Sequence, residues 1–216
     1  MGKLDSGAFG LVSGKVGKLV SYNLNGQNII RKNRTKESAA NELQLASRQR
    51  MRIVNVFLKP IKGFINLGYL FAAQRTIWNP YNLATSNVLL NAITDDYPNI
   101  SIDYSKVLVS KGDLKKAVSA NAILNGDSLE ITWIYDETKD FDNRNDRAMI
   151  LIYLNDKIDP ILILSGSLRS EKTQVIKLDS HLNATNLNIY LSFFAEDRMS
   201  VSDSTYLTLE NLRKLS

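Results

Sequence analysis

Hydrophobic and polar positions change rhythm along the chain. Residues 18–24 and 27–31 are two β-prone runs on either side of Asn25-Gly26. Asn-Gly between such runs predicts a hairpin, because both turn residues take positive φ. From Leu43 the apolar positions advance by threes and fours. Leu43, Ala46, Val54, Phe57, Ile61, Phe64 and Gly68 follow one stripe, with Arg50 on the same line. That spacing predicts a helix with one face against a partner. Pro60 has no N–H and clashes with the preceding turn, so it is expected to kink or divide this helix. Asn79-Pro80 reads as an N-cap followed by a first-turn proline. Tyr81, Ala84, Val88, Leu89 and Ala92 then continue a shorter amphipathic helix, which the run Asp95-Asp96-Tyr97-Pro98 ends.

From about Asp103 the period becomes two. Strands are expected over residues 105–110, 117–124, 129–135, 148–154, 160–164, 173–178, 187–194 and 205–209. Leu129, Ile131, Trp133 and Tyr135 alternate with Glu130 and Thr132, and Leu187, Ile189, Leu191 and Phe193 show the same alternation. Turn residues fall between the runs at Asn125-Gly126-Asp127, Asn155-Asp156 and Ser165-Gly166. Many short strands at this spacing predict a two-sheet sandwich, with Trp133 as its core plug. Tyr190 and Phe194 lie on the less apolar face of their strand, the face that packed helices would cover. The expected fold class is α+β. A Gly-rich β-hairpin with amphipathic helices occupies residues 1–103, and an antiparallel β-sandwich occupies residues 104–216.

Composition removes several kinds of chemistry. With 44% hydrophobic and 23% charged residues over 216 positions, the chain is globular rather than disordered as a whole. It has no cysteine, so disulfides, thiolate metal sites, cysteine nucleophiles and iron–sulfur clusters are out. The one histidine, His181, sits in Asp179-Ser-His-Leu-Asn183 and reads as a solvated loop residue. The net charge of +5 is unevenly spread. Residues 1–62 hold 12 Lys/Arg and 3 Asp/Glu, a net +9, and residues 63–216 hold the other 15 and 19, a net −4. Such a split points to a basic segment with an acidic partner: nucleic acid, a membrane surface, or another copy of the chain. Residues 54–73, the most apolar stretch, are broken by Lys59, Pro60, Lys62 and Asn66 and do not predict a membrane span. No leader is visible, so cytoplasmic synthesis is the default expectation, with export only by a leaderless route.

Specific site motifs are weak. Residues 10–16 approach a phosphate loop but are one residue short and lack the hydroxyl that would hold magnesium. Asp140, Asp142 and Asp146 are spaced as in calcium loops. Yet the segment lacks the sixth-position glycine and closing glutamate, and Arg144 stands where an acceptor belongs. It reads as an acidic connection in solvent. No catalytic, cofactor-binding or metal-binding residue is expected, and no small-molecule substrate is evident. Gly7, Gly10, Gly14 and Gly17 mark bends in the leading ribbon, or else points where another chain approaches closely. The candidate contacts to a second copy or an acidic partner are Gly14, Lys15, Gly17, Lys18, Tyr22, Arg31, Lys32, Arg34 and Lys36.

Several of these residues carry a resemblance. Gly14-Lys15-Val16-Gly17, Val20, Tyr22, Gly26, Ile30 and Arg31 form the opening pattern. Gln49-Arg50, Asp103-Tyr104, Lys106-Val107, Ser110, Gly112, Trp133 and Ser202-Asp-Ser204-Thr-Tyr206 continue it. Over its whole length the chain resembles an uncharacterised Bacteroidota family, domain of unknown function 6266. It departs from the family in having no proline within residues 31–34. The resemblance implies a bacterial setting and a hairpin, helix and sandwich layout, but no activity. The C-terminal part is also similar to immunoglobulin and fibronectin type III modules, a likeness of fold alone. The resulting expectation is a non-enzymatic, self-assembling structural protein, of a filament, appendage or virion-like kind, docking through its N-terminal β segment. The alternative is a nucleic-acid or acidic-surface binding module that uses the basic hairpin.

Overall fold

The structure is a computed structural model, and it describes residues 2–4, 13–24, 26–33, 39–94, 97–154, 159–178, 187–197 and 199–210. The chain forms two compact units, Met1–Asn41 and Glu42–Ser216. The division anticipated at residue 103 therefore falls inside the second unit.

The first unit is a four-stranded antiparallel sheet. Its strands are β1 (Gly2–Leu4), β2 (Gly14–Val16), β3 (Leu19–Leu24) and β4 (Gln27–Lys32), in the order β1-β4-β3-β2. The β3–β4 hairpin is the one expected: Gly26 has φ +80° and its N–H donates to Asn23 Oδ1 at 2.9 Å. Gly17, at φ +57°, turns β2 into β3, and a Cβ there would meet open space. The glycine makes the bend, and among the described residues no backbone of its own chain crowds it. Asn25, Gly7 and Gly10 lie outside the described residues.

The second unit has three layers. The long helical stripe divides at Pro60 into α1 (Glu42–Leu58) and α2 (Lys62–Gly68), followed by α3 (Leu70–Gln74) and α4 (Pro80–Asn91). Asn79 caps α4, its side chain accepting from the Asn82 N–H at 2.8 Å. Beyond the helices come β5 (Val118–Asn125), β6 (Ser128–Ile134), β7 (Arg147–Leu154), β8 (Ile161–Ile163), β9 (Thr173–Lys177), β10 (Leu187–Phe194), β11 (Thr205–Leu207) and β12 (Leu209–Glu210). They build two small sheets, β11-β10-β7-β8 and β12-β5-β6-β9. Pairing is antiparallel except where β12 runs parallel to β5.

Alternation along β7 and β10 explains the layering. Ile150, Ile152, Ile189, Leu191 and Phe193 point to one face and join Ala122, Leu129, Ile131 and Trp133 of the other sheet in one core. Met149, Leu151 and Tyr190 point the opposite way and join Val54, Phe57, Ile61, Phe64 and Val88 of the helices. Side chains alternate with period two, so a strand covered on both faces becomes apolar throughout. Phe57 meets Tyr153 edge to face at 4.8 Å and Tyr104 at 5.6 Å. Leu43, at the start of the expected stripe, is 79% exposed, so only the later turns of α1 bury it.

Two strand expectations are corrected. Residues 105–110 form no ladder. Asp103 Oδ1 accepts from the Ser105 N–H at 3.2 Å and from Ser105 Oγ at 2.6 Å, which turns Tyr104–Lys106 into a 3-10 helix. A carboxylate that captures nearby backbone competes with strand pairing in this way. The run 205–209 is two strands, β11 and β12, one in each sheet of the second unit.

Candidate functional site

The expected contact residues cluster on the N-terminal sheet, and the register assigns their faces. Lys15 pairs with Val20 and Val20 with Arg31, so these three share one face. Tyr22, two residues beyond Val20, shares that face, and the Arg31 guanidinium lies 5.6 Å from its ring centroid. Lys32 pairs with Leu19 and belongs to the opposite face. Lys18 sits in the β2–β3 turn, and Gly14, at φ +109°, opens β2. Arg34 and Lys36 lie outside the described residues.

This sheet has little interior of its own. Among its described side chains only Ser21 and Ile29 are buried. Val16, Leu19 and Leu24 are 64%, 50% and 51% exposed, and they occupy both faces. Strands β1 and β2 are the outer strands, each paired on one side only among the described residues. An outer strand offers a row of unpaired N–H and C=O groups to another strand.

The acidic segment after β6 is solvated only in part, with Glu137 and Asp142 exposed. Asp140 and Asp146 are buried, and each has a cation. The Lys115 ammonium pairs with Asp140, and Arg169 Nη1 donates to Asp146 Oδ2 at 2.9 Å. Arg169 is 3% exposed. Its Nη2 donates to the Lys115 carbonyl, and its guanidinium carbon lies 4.0 Å from the Phe193 ring centroid. The Arg169 carbonyl accepts from Trp133 Nε1 at 2.8 Å, and the Trp133 ring meets Phe193 edge-on at 5.5 Å. Trp133 is therefore both core plug and anchor for the arginine turn. Burial pushes the Asp146 carboxyl up to about 6, against the pull of Arg169. The Lys115 ammonium holds Asp140 below its usual range. Asp136, hydrogen-bonded by Thr138 through its hydroxyl and its N–H, is lowered to about 2. Arg169 carried no signal in the sequence, because its partners are 23 and 54 positions away.

Several of the remaining signature residues gather in a polar seam. Ser110 Oγ donates to the Ser202 carbonyl at 2.7 Å, and the Val109 N–H donates to Ser204 Oγ at 3.0 Å. The Phe193 N–H donates to Ser202 Oγ at 2.8 Å, and the Gly112 N–H to Asp203 Oδ1 at 3.1 Å. Tyr190 Oη donates to the Tyr104 carbonyl at 2.8 Å. Buried backbone groups in an irregular segment need such partners, and these serines supply them without a strand ladder. Ser110, Gly112, Ser202, Asp203 and Ser204 thus tie this irregular segment to its neighbours through hydrogen bonds.

Among the described residues no group of three or more His, Asp or Glu side chains is arranged to hold a metal ion. No described helix is long and apolar enough to cross a membrane. His181 lies outside the described residues. No curated protein matches the chain. A family of unknown function, DUF6266, matches over residues 11–208. That span takes in both the basic hairpin and the seam of serines, and on it the chain belongs to the DUF6266 family.

Proposed function

We propose that the chain is a non-enzymatic structural protein that assembles with copies of itself through its N-terminal sheet. The observation that carries this reading is a sheet that, among the described residues, has two open outer strands, apolar side chains exposed on both faces, and almost no interior. An isolated small sheet of this kind gains too little from burial to be stable without a partner. Strand addition at β1 or β2 would satisfy the free backbone groups and cover Val16 and Leu19 together. Head-to-tail repetition of that contact builds a filament, appendage or virion-like shell. We read the two facing sheets as an immunoglobulin- or fibronectin-III-like scaffold, and the source as Bacteroidota, on the sequence resemblance and the Trp133 plug.

Sedimentation velocity and negative-stain microscopy of the full chain test the proposal. Assembly should grow with concentration, and Val16→Pro, which removes a ladder donor on an outer strand, should abolish it while the second unit melts unchanged. A monodisperse monomer at high concentration would overturn it. A second reading has its own support in Lys15, Arg31 and Tyr22 on one face: an anionic partner, nucleic acid above all. Filter binding across salt tests it. The affinity should fall steeply with ionic strength, and Lys15→Ala with Arg31→Ala should flatten the slope by about 2.

A further inference from the structure

Among the described residues, β8 is the one outer strand of the second unit without a polar side chain. It reads Ile161-Leu162-Ile163 and runs on into Leu164, which is 41% exposed. By contrast β9 ends in Lys177, β11 carries Thr205 and Tyr206, and β12 carries Glu210. Charged and polar residues guard outer strands against a further strand, and β8 lacks them. The ladder also fixes which way β8 presents its backbone. The Gly166 N–H donates to the Ala148 carbonyl and the Ala148 N–H to the Ser167 carbonyl, so Ala148, Ile150 and Ile152 turn their backbone groups toward β8. Ile150 pairs with Ile163 and Ile152 with Ile161, and Leu162 between them turns its N–H and C=O to the open edge. In the first unit the Asn33 N–H donates to the Lys18 carbonyl, so Leu19 and Lys32 are a non-bonded pair and Leu19 bonds toward β2. Val16 and Leu19 are then a bonded pair, and Lys15 turns its N–H and C=O outward.

We propose that β2 of one copy adds antiparallel to β8 of a second copy, with Lys15 and Leu162 as the bonded pair. This names the acceptor for the N-terminal contact and rests on that reading. The register sets Val16 against Ile161 and brings Lys18 to Asp159, which is exposed at the head of β8. Lys15, opposite Leu162, shares its face, the one toward the helices. On that side a hollow of about 500 Å³ lies at the end of β8, walled by Leu67, Leu164, Leu168 and Phe194. Its acid is Glu196, and its cation, Arg147, donates to the Gly166 carbonyl at 3.3 Å. The Lys15 stem covers Leu162 while its ammonium runs toward Glu196. Donor and acceptor are different surfaces, so the contact repeats head to tail.

Sedimentation velocity of full-chain variants tests it. Lys15→Pro removes the donor's outward N–H and Leu162→Pro the acceptor's, and neither N–H belongs to the protein's own ladder. Each variant alone should stay monomeric. Mixed, the two should form one-to-one dimers and nothing larger, since each supplies what the other lacks. Leu164→Asp, at an exposed position on the rim of the hollow, repeats the acceptor test where Leu162→Pro does not fold. Asp159→Lys with Glu196→Lys should weaken assembly about tenfold or more, and adding Lys15→Glu with Lys18→Glu should restore it. Acceptor variants that assemble like the parent, or a mixture that stays monomeric, would overturn the acceptor, and the N-terminal contact still stands if Val16→Pro blocks growth. A parent chain that never assembles overturns both.

Discussion

Arg169→Met is the sharpest test of what holds the second unit together. The substitution keeps most of the side-chain volume and removes the guanidinium, so it isolates charge from packing. Asp146 would be left at 3% exposure with its cation gone, so burial would force its carboxyl to take up a proton or stay charged without a partner, and the Lys115 carbonyl would lose a donor. Breaking a buried ion pair by removing one partner costs about 3–5 kcal/mol. The contact with the Phe193 face, at 4.0 Å, adds to the loss. Domains are stable by about 5–15 kcal/mol, so a loss of about 4 kcal/mol is a large share of the total. With a urea slope of about 2 kcal/mol per molar, the unfolding midpoint should drop by about 2 M. Tryptophan fluorescence reports it cleanly in a Trp78→Phe background, because Trp78 is exposed and Trp133 is bonded to the Arg169 carbonyl. Adding Asp146→Leu to Arg169→Met should restore most of the loss, since replacing both members of a buried pair with apolar groups is close to neutral. A single variant whose midpoint stays within about 0.5 M of the parent, or a double variant no better than the single, refutes the reasoning.

Further outcomes follow from the same geometry. The Asp146 carboxyl titrates near 6 when folded and near 3.9 when unfolded, so its contribution is fully present below about pH 4 and is lost as pH rises through 6. Stability of Asp146→Asn, measured in urea from pH 4 to 7, should lack that component. Asp136 works in the opposite sense: its contribution is present above about pH 4 and is lost as pH falls toward 2. Gly112→Ala would place a Cβ 2.1 Å from the Val201 carbonyl oxygen, and calorimetry should show it destabilised by more than about 2 kcal/mol or not folded. Phe57→Asp puts a carboxylate between Tyr104 and Tyr153 in the helical core and should abolish cooperative melting of the second unit. Unchanged melting would show that α1 does not hold the sheet.

Local rules account for the elements that matched. Pro60 and Asn79-Pro80 act on their own turns, and the helices stop and start there. Asn-Gly punctuation at Gly26 and Gly126 acts within four residues, and both hairpins formed with positive φ. Failures arose where a distant group outweighed a local preference. Val107 and Val109 look like strand positions, yet each points into the helical core while the serines of the seam take over the backbone bonds. The acids after β6 look solvated by composition, and two of them, Asp140 and Asp146, are buried because Lys115 and Arg169 come to them from other parts of the chain. The candidate contacts on the first unit were legible as a cluster, but Lys32 joins the face opposite Lys15 and Arg31, which only the register shows. The open edge of β8 was not legible at all, since the direction of the Leu162 N–H is set by pairing with β7.

The order of residues by itself determined the type and sequence of most elements: a hairpin ribbon, a helix cut at a proline, then short strands around a buried tryptophan. Periodicity, capping and turn chemistry are short-range, so they can be read from neighbours in the chain. Tertiary structure alone decided that β7 and β10 are covered on both faces, that a carboxylate and a guanidinium share a dry site, and which strands stay open at the edge. Those outcomes depend on what lies a few ångströms away across the fold, and the distance between two side chains in space is set by the packing of all the layers at once.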